Sequence, residues 1–376
     1  MNDLHTLQLK DGLCLSGHPW ARLSNLVAPL PSGPGVAMLL DSRGTPLGSG
    51  IFDGRDPQAA WRRFSMAEEA RFDEAYVAAA INDALGRRGD EHCQRLICAD
   101  ADYLPGLEVD LYEGILAITS THPVVDAVME AIVSCLQEAC EPKEMVFLHD
   151  DPRRAALRLE CGRRTLSGQN LKARWIEVDG IAYRLDLLNA DKPRIYLDQR
   201  EQHALVGSLC EGRTVLDGYA HSGAFALQAV RSGAEHVVAV DTAEACVKAI
   251  GAQAQKNDGF IETIQADVAA FLGERQPGEL DAIILDPPEL ARIDAAAVEA
   301  LHLSAFQCLP EGGLLASYCR SPETPLADFE ACVARAAARA GREARVFART
   351  AQPFDFPVRL NFPQSHYLKG LILQLE

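Results

Sequence analysis

Five short stretches carry residue types suited to chemistry: Asp217-Gly218-Tyr219-Ala220-His221-Ser222-Gly223-Ala224-Phe225, Asp241, Asp267, Asp286-Pro287-Pro288 and Cys319. Each follows a run that reads as a buried strand: Thr214 to Leu216, Val237 to Val240, Glu262 to Gln265, Ala282 to Leu285 and Gly313 to Ser317. Parallel α/β sheets bind ligands beyond the carboxyl ends of their strands, so these positions in series mark one sheet edge. A single aspartate after a strand is more often a helix cap. The succession is the specific signal.

The first stretch reads as a loop in which Gly223 opens a helix, whose N-terminus favours a ligand carboxylate. Asp241 follows at the distance where a carboxylate accepts both hydroxyls of a ribose, and Asp267 is suited to an adenine amino group. A pyrophosphate would require the tighter G-x-G-x-x-G turn, which is absent, and no P-loop lysine motif occurs. The wider, acidic loop suits a cationic sulfonium. S-adenosylmethionine is therefore the expected cofactor, faced by Asp217, Tyr219, Ser222, Gly223, Ala224, Phe225, Asp241, Asp267, Asp286 and Pro287. No metal is expected.

Asp286 and Cys319 then read as a catalytic pair. Two prolines stiffen the backbone after Asp286 and remove amide donors, making a loop that can hold a flat base. The aromatic residue that ends this motif in enzymes methylating exocyclic amines is replaced by Glu289. Cytosine C5 is a poor nucleophile, and a thiolate adding at C6 turns the ring into an enamine that attacks the methyl group. Cys319 is the candidate thiolate, with Arg320 beside it to lower its pKa. Asp286 would protonate or hydrogen-bond the ring as charge develops. The bland alternative for Cys319 is a small buried hydrophobe at a strand end.

The elements that position these residues are legible in outline. Alternating strands and helices after residue 176 predict a doubly wound parallel sheet. It closes with an antiparallel edge pair, Phe347 to Arg349 and Tyr367 to Leu375, joined by a Pro-rich connection too short for another crossover helix. Asp179-Gly180 is a hairpin turn signal ahead of it. Residues 1–70 read as a small β module, with strands at Val36 to Leu40 and Leu47 to Phe52 around a turn at Asp41-Ser42-Arg43-Gly44. Residues 71–175 read as an α/β middle domain, with a helix from Phe72 to Leu85 and another carrying Val124, Val125, Val128, Met129, Ile132, Val133 and Leu136 on one face.

The 376 residues suggest two or three domains. No apolar run reaches the length of a membrane span and no basic-then-apolar leader opens the chain, so a cytoplasmic protein is expected. The eleven cysteines are scattered without C-x-x-C spacing, as in a reducing compartment. A net charge of −17 counts against nucleic-acid binding. The charge is uneven, however: Arg153, Arg154, Arg158, Arg163, Arg164, Lys172, Arg174, Lys192, Arg194 and Arg200 make a basic middle, and Arg335, Arg339, Arg342, Arg345 and Arg349 a second set.

With these residues assembled, the chain resembles, nearly end to end, the ribosomal RNA cytosine-5 methyltransferases that carry an N-terminal PUA domain. The resemblance lies in Gly17-His18-Pro19-Trp20, Arg95-Leu96-Ile97, Asp102-Tyr103-Leu104-Pro105-Gly106-Leu107 and, most specifically, Tyr196-Leu197-Asp198-Gln199-Arg200. It continues through Ser222-Gly223-Ala224-Phe225, Val240-Asp241, Leu285-Asp286-Pro287-Pro288, the Cys319 segment and Tyr367-Leu368-Lys369-Gly370.

The resemblance implies a class I, Rossmann-like fold behind a PUA-like β-barrel and a middle domain that help hold RNA. It implies methylation of cytosine C5 in ribosomal RNA of the 23S type, and a homodimer. It places Tyr196, Asp198, Gln199 and Arg200 beside the cofactor. In the family the cysteine stands between serines, whereas here the context is Tyr318-Cys319-Arg320, and the loop after Pro288 is short, without the Tyr-Lys-Asn stretch. Two other readings stand beside this one. They are guanine N7 methylation on a similar core, and a non-catalytic RNA-binding protein that keeps the cofactor fold.

Overall fold

The computed structural model describes residues 4–190, 194–288 and 293–376; Lys192 and Glu289 lie outside them. The chain forms two compact units, Met1–Lys172 with Asp355–Phe362, and Ala173–Phe354 with Pro363–Glu376.

The first unit holds β1 (His5–Gln8), β2 (Trp20–Ala21), β3 (Gly35–Leu40), β4 (Pro46–Phe52), β5 (Trp61–Ser65), α1 (Glu74–Leu85), β6 (Cys93–Cys98), β7 (Leu107–Tyr112), β8 (Ile115–Ser120), α2 (Pro123–Ala127), α3 (Met129–Cys140), β9 (Glu144–His149), α4 (Pro152–Ala156) and β10 (Gly162–Thr165). They make two sheets, ordered β1-β3-β4-β5-β2 and β10-β9-β8-β7-β6. The turn between β3 and β4 closes because Asp41 Oδ1 accepts from the Arg43 and Thr45 amides at 2.8 and 2.7 Å. Helix α1 starts where Asp73 caps the Tyr76 amide.

The expected boundary near residue 70 runs through a shared core, in which Ile51 and Phe64 pack in one cluster with Phe72, Val77, Ile81 and Val109. The single helix expected across Val124 to Leu136 is two, because Val128 (φ −111°, ψ 17°) leaves the helical basin between α2 and α3. The Pro-rich connection supplies a piece of this unit: Asp355 accepts from the Arg95 amide, 2.8 Å, Arg359 donates to the Asp100 carbonyl, 2.9 Å, and Phe362 packs on Trp20.

The second unit opens with the hairpin β11 (Arg174–Val178) and β12 (Ile181–Leu185). It continues as α5 (Arg200–Ser208), β13 (Thr214–Gly218), α6 (Ala224–Arg231), β14 (His236–Asp241), α7 (Glu244–Lys256), β15 (Glu262–Gln265), α8 (Val268–Gly273), β16 (Ala282–Leu285), α9 (Ala295–Cys308), β17 (Leu314–Arg320), α10 (Leu326–Ala340), β18 (Ala344–Thr350) and β19 (Leu368–Leu375). The seven-stranded sheet has the order β15-β14-β13-β16-β17-β19-β18. It is parallel from β15 to β17 and antiparallel at β19 and β18, as expected. The reversal between β13 and β14 on one side and β16 on the other is the switch point where such sheets bind ligands. Strand β15 is the sheet edge, so its side chains are half exposed rather than buried.

The basic sets are partly neutralised. Arg153, Arg154 and Arg163 pair with Asp151, Asp126 and Asp150. Arg335, Arg345 and Arg349 pair with Glu299, Glu376 and Glu330.

Candidate functional site

Beyond β13 the backbone turns through three left-handed residues, Tyr219 (φ 64°), His221 (φ 47°) and Gly223 (φ 74°), before α6 begins. A Cβ at Gly223 would meet the Ile250 side chain at 2.8 Å, so position 223 needs glycine for space as well as for φ. The Ser222 carbonyl accepts from Gln253 Nε2 at 2.7 Å, which ties this loop to α7. Ala224 and Phe225 are buried at the start of α6, and the Phe225 ring stacks on Tyr318 and meets His203 edge-on. Tyr219 is half-buried against the core, and burial raises its pKa.

The four strand-end carboxylates are differently placed. Asp217 is buried; its Oδ2 accepts from the Ala226 amide at 3.0 Å, while Oδ1 has no partner. Burial pushes its pKa up to about 8 against the help of the Ala226 amide, with Asp286 and Asp241 adding repulsion. Asp241 bridges the loop, accepting from the His221 and Ala243 amides at 2.9 and 2.8 Å. Asp267 is exposed and accepts from the Ala270 amide at 2.9 Å, the helix-cap role of such residues. Asp286 Oδ1 has no hydrogen-bond partner and lies 3.6 Å from Arg320 Nε; burial raises its pKa and the guanidinium offsets part of the rise. Pro287 beside it is half exposed.

The Tyr196-to-Arg200 turn meets the same edge. Arg320, at the end of β17, donates to both oxygens of Asp198 at 2.7 and 3.1 Å and to Gln199 Oε1 at 2.5 Å. Tyr367 adds a third hydrogen bond to Asp198, 2.7 Å. The guanidinium carbon also stands 4.5 Å from the centre of the Tyr196 ring, which in turn packs on His221 at 4.7 Å. Arg200 turns back to the Leu197 carbonyl, 3.3 Å, at the start of α5.

Cys319 does not join this group. Successive residues of a strand face opposite sides, and β17 presents Tyr318 and Arg320 to one and Cys319 to the other. There the thiol is 2% exposed in the apolar core with Phe329, Val333 and Leu371. Burial pushes its pKa up to about 11, partly offset by Lys369, so the expected lowering by Arg320 is not what the strand produces. The bland reading of Cys319 describes this position.

Three residues have roles that the sequence does not signal. Arg320 is expected there only to act on the Cys319 thiol and Tyr367 enters only through the resemblance, although the strand period alone places 320 opposite 319. His221, whose Nδ1 is buried without a partner and whose pKa burial pushes down to about 4, gave no sequence signal beyond its place in the loop.

A family profile described as S-adenosylmethionine-dependent methyltransferase matches residues 137–341, more than half of the chain. The chain belongs to that family. This methyltransferase is 30% identical over 386 residues to ribosomal RNA large subunit methyltransferase I of Tolumonas auensis, covering 96% of each. It is 29% identical over 379 residues to the protein of that name from Photobacterium profundum, covering 94% of each. A Deinococcus radiodurans ribosomal RNA large subunit methyltransferase is 30% identical over 396 residues, with 96% of this chain and 94% of the relative covered.

Two solved methyltransferases have the same fold at 18% identity. One, from Streptococcus mutans, superposes with a TM-score of 0.84 over 99% of this chain and 100% of its own. The other, solved in complex with S-adenosylhomocysteine, gives 0.83 over 98% and 99%.

The methyltransferase's cofactor is S-adenosylmethionine, and the residues at the sheet edge fit it. A buried carboxylate oxygen without a partner, Asp217 Oδ1, matches a cationic amine. Asp241 sits at the second strand end, half exposed, with lone pairs left for hydroxyls. Among the described residues no helix is long and apolar enough to cross a membrane.

Proposed function

We propose that this methyltransferase transfers the methyl group of S-adenosylmethionine to a base of large-subunit ribosomal RNA. The observation that carries the reading is the near-complete coverage of relatives that bear this activity in their names, joined to an acidic, glycine-turned sheet edge suited to the cofactor. Asp217 would take the cofactor's ammonium, Asp241 its ribose and Asp267 its adenine, with Tyr196 and Ser222 to Phe225 lining the approach. The N-terminal sheet, as a PUA-like module, and the strands up to residue 165 would hold structured RNA. Assembly as a homodimer belongs to the same reading and is tested by light scattering.

Within this reading, the target is open to two chemistries. Cytosine C5 in RNA of the 23S type requires a sulfur adduct at C6, and the only candidate thiol on β17 faces the core. Guanine N7 carries its own lone pair: it attacks the methyl carbon directly, the carbon–sulfur bond breaks, and S-adenosylhomocysteine leaves. The burial of Cys319 favours a target of this second kind. RNA from a deletion strain and its complemented parent, compared by nucleoside mass spectrometry and bisulfite sequencing, separates the cases. Loss of 7-methylguanosine supports direct transfer and loss of 5-methylcytosine supports the adduct. An unchanged modification profile points to a non-catalytic RNA binder.

A further inference from the structure

Several arginines in the two basic sets, Arg153, Arg154, Arg163, Arg335, Arg345 and Arg349 among them, are held by carboxylates, which leaves them less free to grip RNA. Arg184 and Lys256 differ. Neither has an ion-pair partner among the described residues, and both stand over one ring: Arg184 Cζ lies 5.9 Å and Lys256 Nζ 5.8 Å from the centre of Trp175. Trp175 and Arg184 are direct cross-strand partners on β11 and β12. They share the solvent side of the hairpin, because Ile176, Val178, Tyr183 and Leu185 occupy the buried side.

The hairpin is fixed to the helices behind the cofactor strands. The Arg184 amide donates to Gln253 Oε1 at 3.1 Å, and Ala182 exchanges two hydrogen bonds with the Asn257 side chain at 2.8 and 2.9 Å. Gln228 reaches the hairpin turn at the Asp179 carbonyl, 3.2 Å. Gln253 also donates to the Ser222 carbonyl, so one glutamine joins the tryptophan-bearing hairpin to the loop that opens α6.

We propose that the half-buried Trp175 ring becomes a stacking platform for an unpaired base of the RNA when the exposed Arg184 and Lys256 side chains swing from over the ring onto the flanking phosphates. An aromatic face between cations is the arrangement that grips single-stranded nucleic acid without reading its sequence, and every base has a π-face to offer. The platform answers the acidity of the chain as a whole: two cations at one ring make a local site where the net charge of −17 would repel phosphate. Glu177 is the acidic neighbour on the same side of β11, which limits the platform to the Trp175 end. The inference rests on the proposal that RNA is the substrate.

The test uses the full-length protein, fluorescence anisotropy with a labelled single-stranded oligoribonucleotide, and steady-state methylation of large-subunit RNA from a deletion strain. Trp175→Ala weakens oligonucleotide binding roughly 5- to 150-fold and raises KM for RNA while kcat and S-adenosylmethionine affinity hold. Trp175→Phe keeps most of the binding. The exposed charge reversals Arg184→Glu and Lys256→Glu, which leave the hairpin's packing intact, weaken binding and flatten the log–log slope of affinity against salt by about 0.7 for each phosphate no longer neutralised. If a wild-type protein that binds and methylates RNA is matched by all three loss variants in affinity and KM, the platform is wrong and the RNA function stands. A wild-type protein that binds no RNA overturns both.

Discussion

Cys319 and Arg320 are neighbours on β17 that face opposite sides of the sheet, the thiol into the core with Phe329 and Val333 and the guanidinium onto Asp198. With its pKa pushed up to about 11, the thiol is overwhelmingly protonated at neutral pH. Cys319→Ala therefore costs stability, about 1–2 kcal/mol for a small buried side chain, and leaves methyl transfer per folded molecule near the wild-type rate. Thermal unfolding and initial rates on large-subunit RNA measure the two effects separately. A folded alanine variant with its transfer abolished would restore the thiolate mechanism.

The Arg320–Asp198 pair is 8% exposed on both sides and links the end of β17 to the turn that carries Tyr196. Removing one partner leaves the other charge buried, which costs about 3–5 kcal/mol. Asp198→Ala is expected to lower the unfolding free energy by that margin, read from urea titration as the shift in midpoint multiplied by the m-value. The double change Arg320→Met, Asp198→Leu recovers part of the loss, because neither member of the pair is left without the other, while Asp286 loses its neighbouring guanidinium and is pushed further towards the protonated form. Equal losses in the single and double variants would mean that the pair contributes by packing alone.

Asp217 gives the fold a pH signature. Its carboxyl is raised from 3.8 to about 8 in the folded chain. Between those values the unfolded chain has lost a proton that the folded chain keeps, so this group's contribution to stability falls as pH rises, by at most about 1.4 kcal/mol per unit. The decline begins near the unfolded value and ends once the folded group ionises. Asp217→Asn removes this slope. The same proton must leave when a cationic amine binds, so cofactor affinity in the wild type climbs towards pH 8, with proton release visible in calorimetry across buffers of different ionisation enthalpy. A pH-independent affinity would detach Asp217 from the cofactor.

Asp241 holds the His221 and Ala243 amides and, in the proposed site, the ribose. Each hydrogen bond to a charged group is worth about 1.5–3 kcal/mol, so Asp241→Ala is expected to weaken S-adenosylmethionine binding at least tenfold. Isothermal titration reads this directly, and an unchanged Kd would exclude Asp241 from the pocket.

The sheet was legible because buried parallel strands are short apolar runs with an acidic or glycine residue at the end, and β15 and β16 fall on the expected residues. What escaped was set by tertiary packing. The edge position of β15 is the exception, since its Glu262-Thr263-Ile264-Gln265 is mostly polar where the central β16 is wholly apolar. The break at Val128 depends on backbone angles that helical periodicity does not register. The Pro-rich connection looked like a loop, yet Asp355 and Arg359 complete the other unit by bonding to residues about 260 positions away in sequence, and Phe362 by packing on Trp20. At the site, the aspartates and Cys319 come from the same succession of strand ends, but β17 runs on to Arg320, so Cys319 lies within the strand and not beyond it. The two-residue strand period argued instead for Arg320, and only the packing of α10 reveals which face of β17 is core.

Purified protein incubated with methyl-labelled S-adenosylmethionine and unmodified large-subunit RNA, followed by nucleoside analysis, puts the proposed transfer to its most direct trial. Wild-type protein should place label in a single methylated nucleoside, and Asp241→Ala should place almost none. A wild-type protein that binds the cofactor but leaves the RNA unlabelled would contradict the proposed activity.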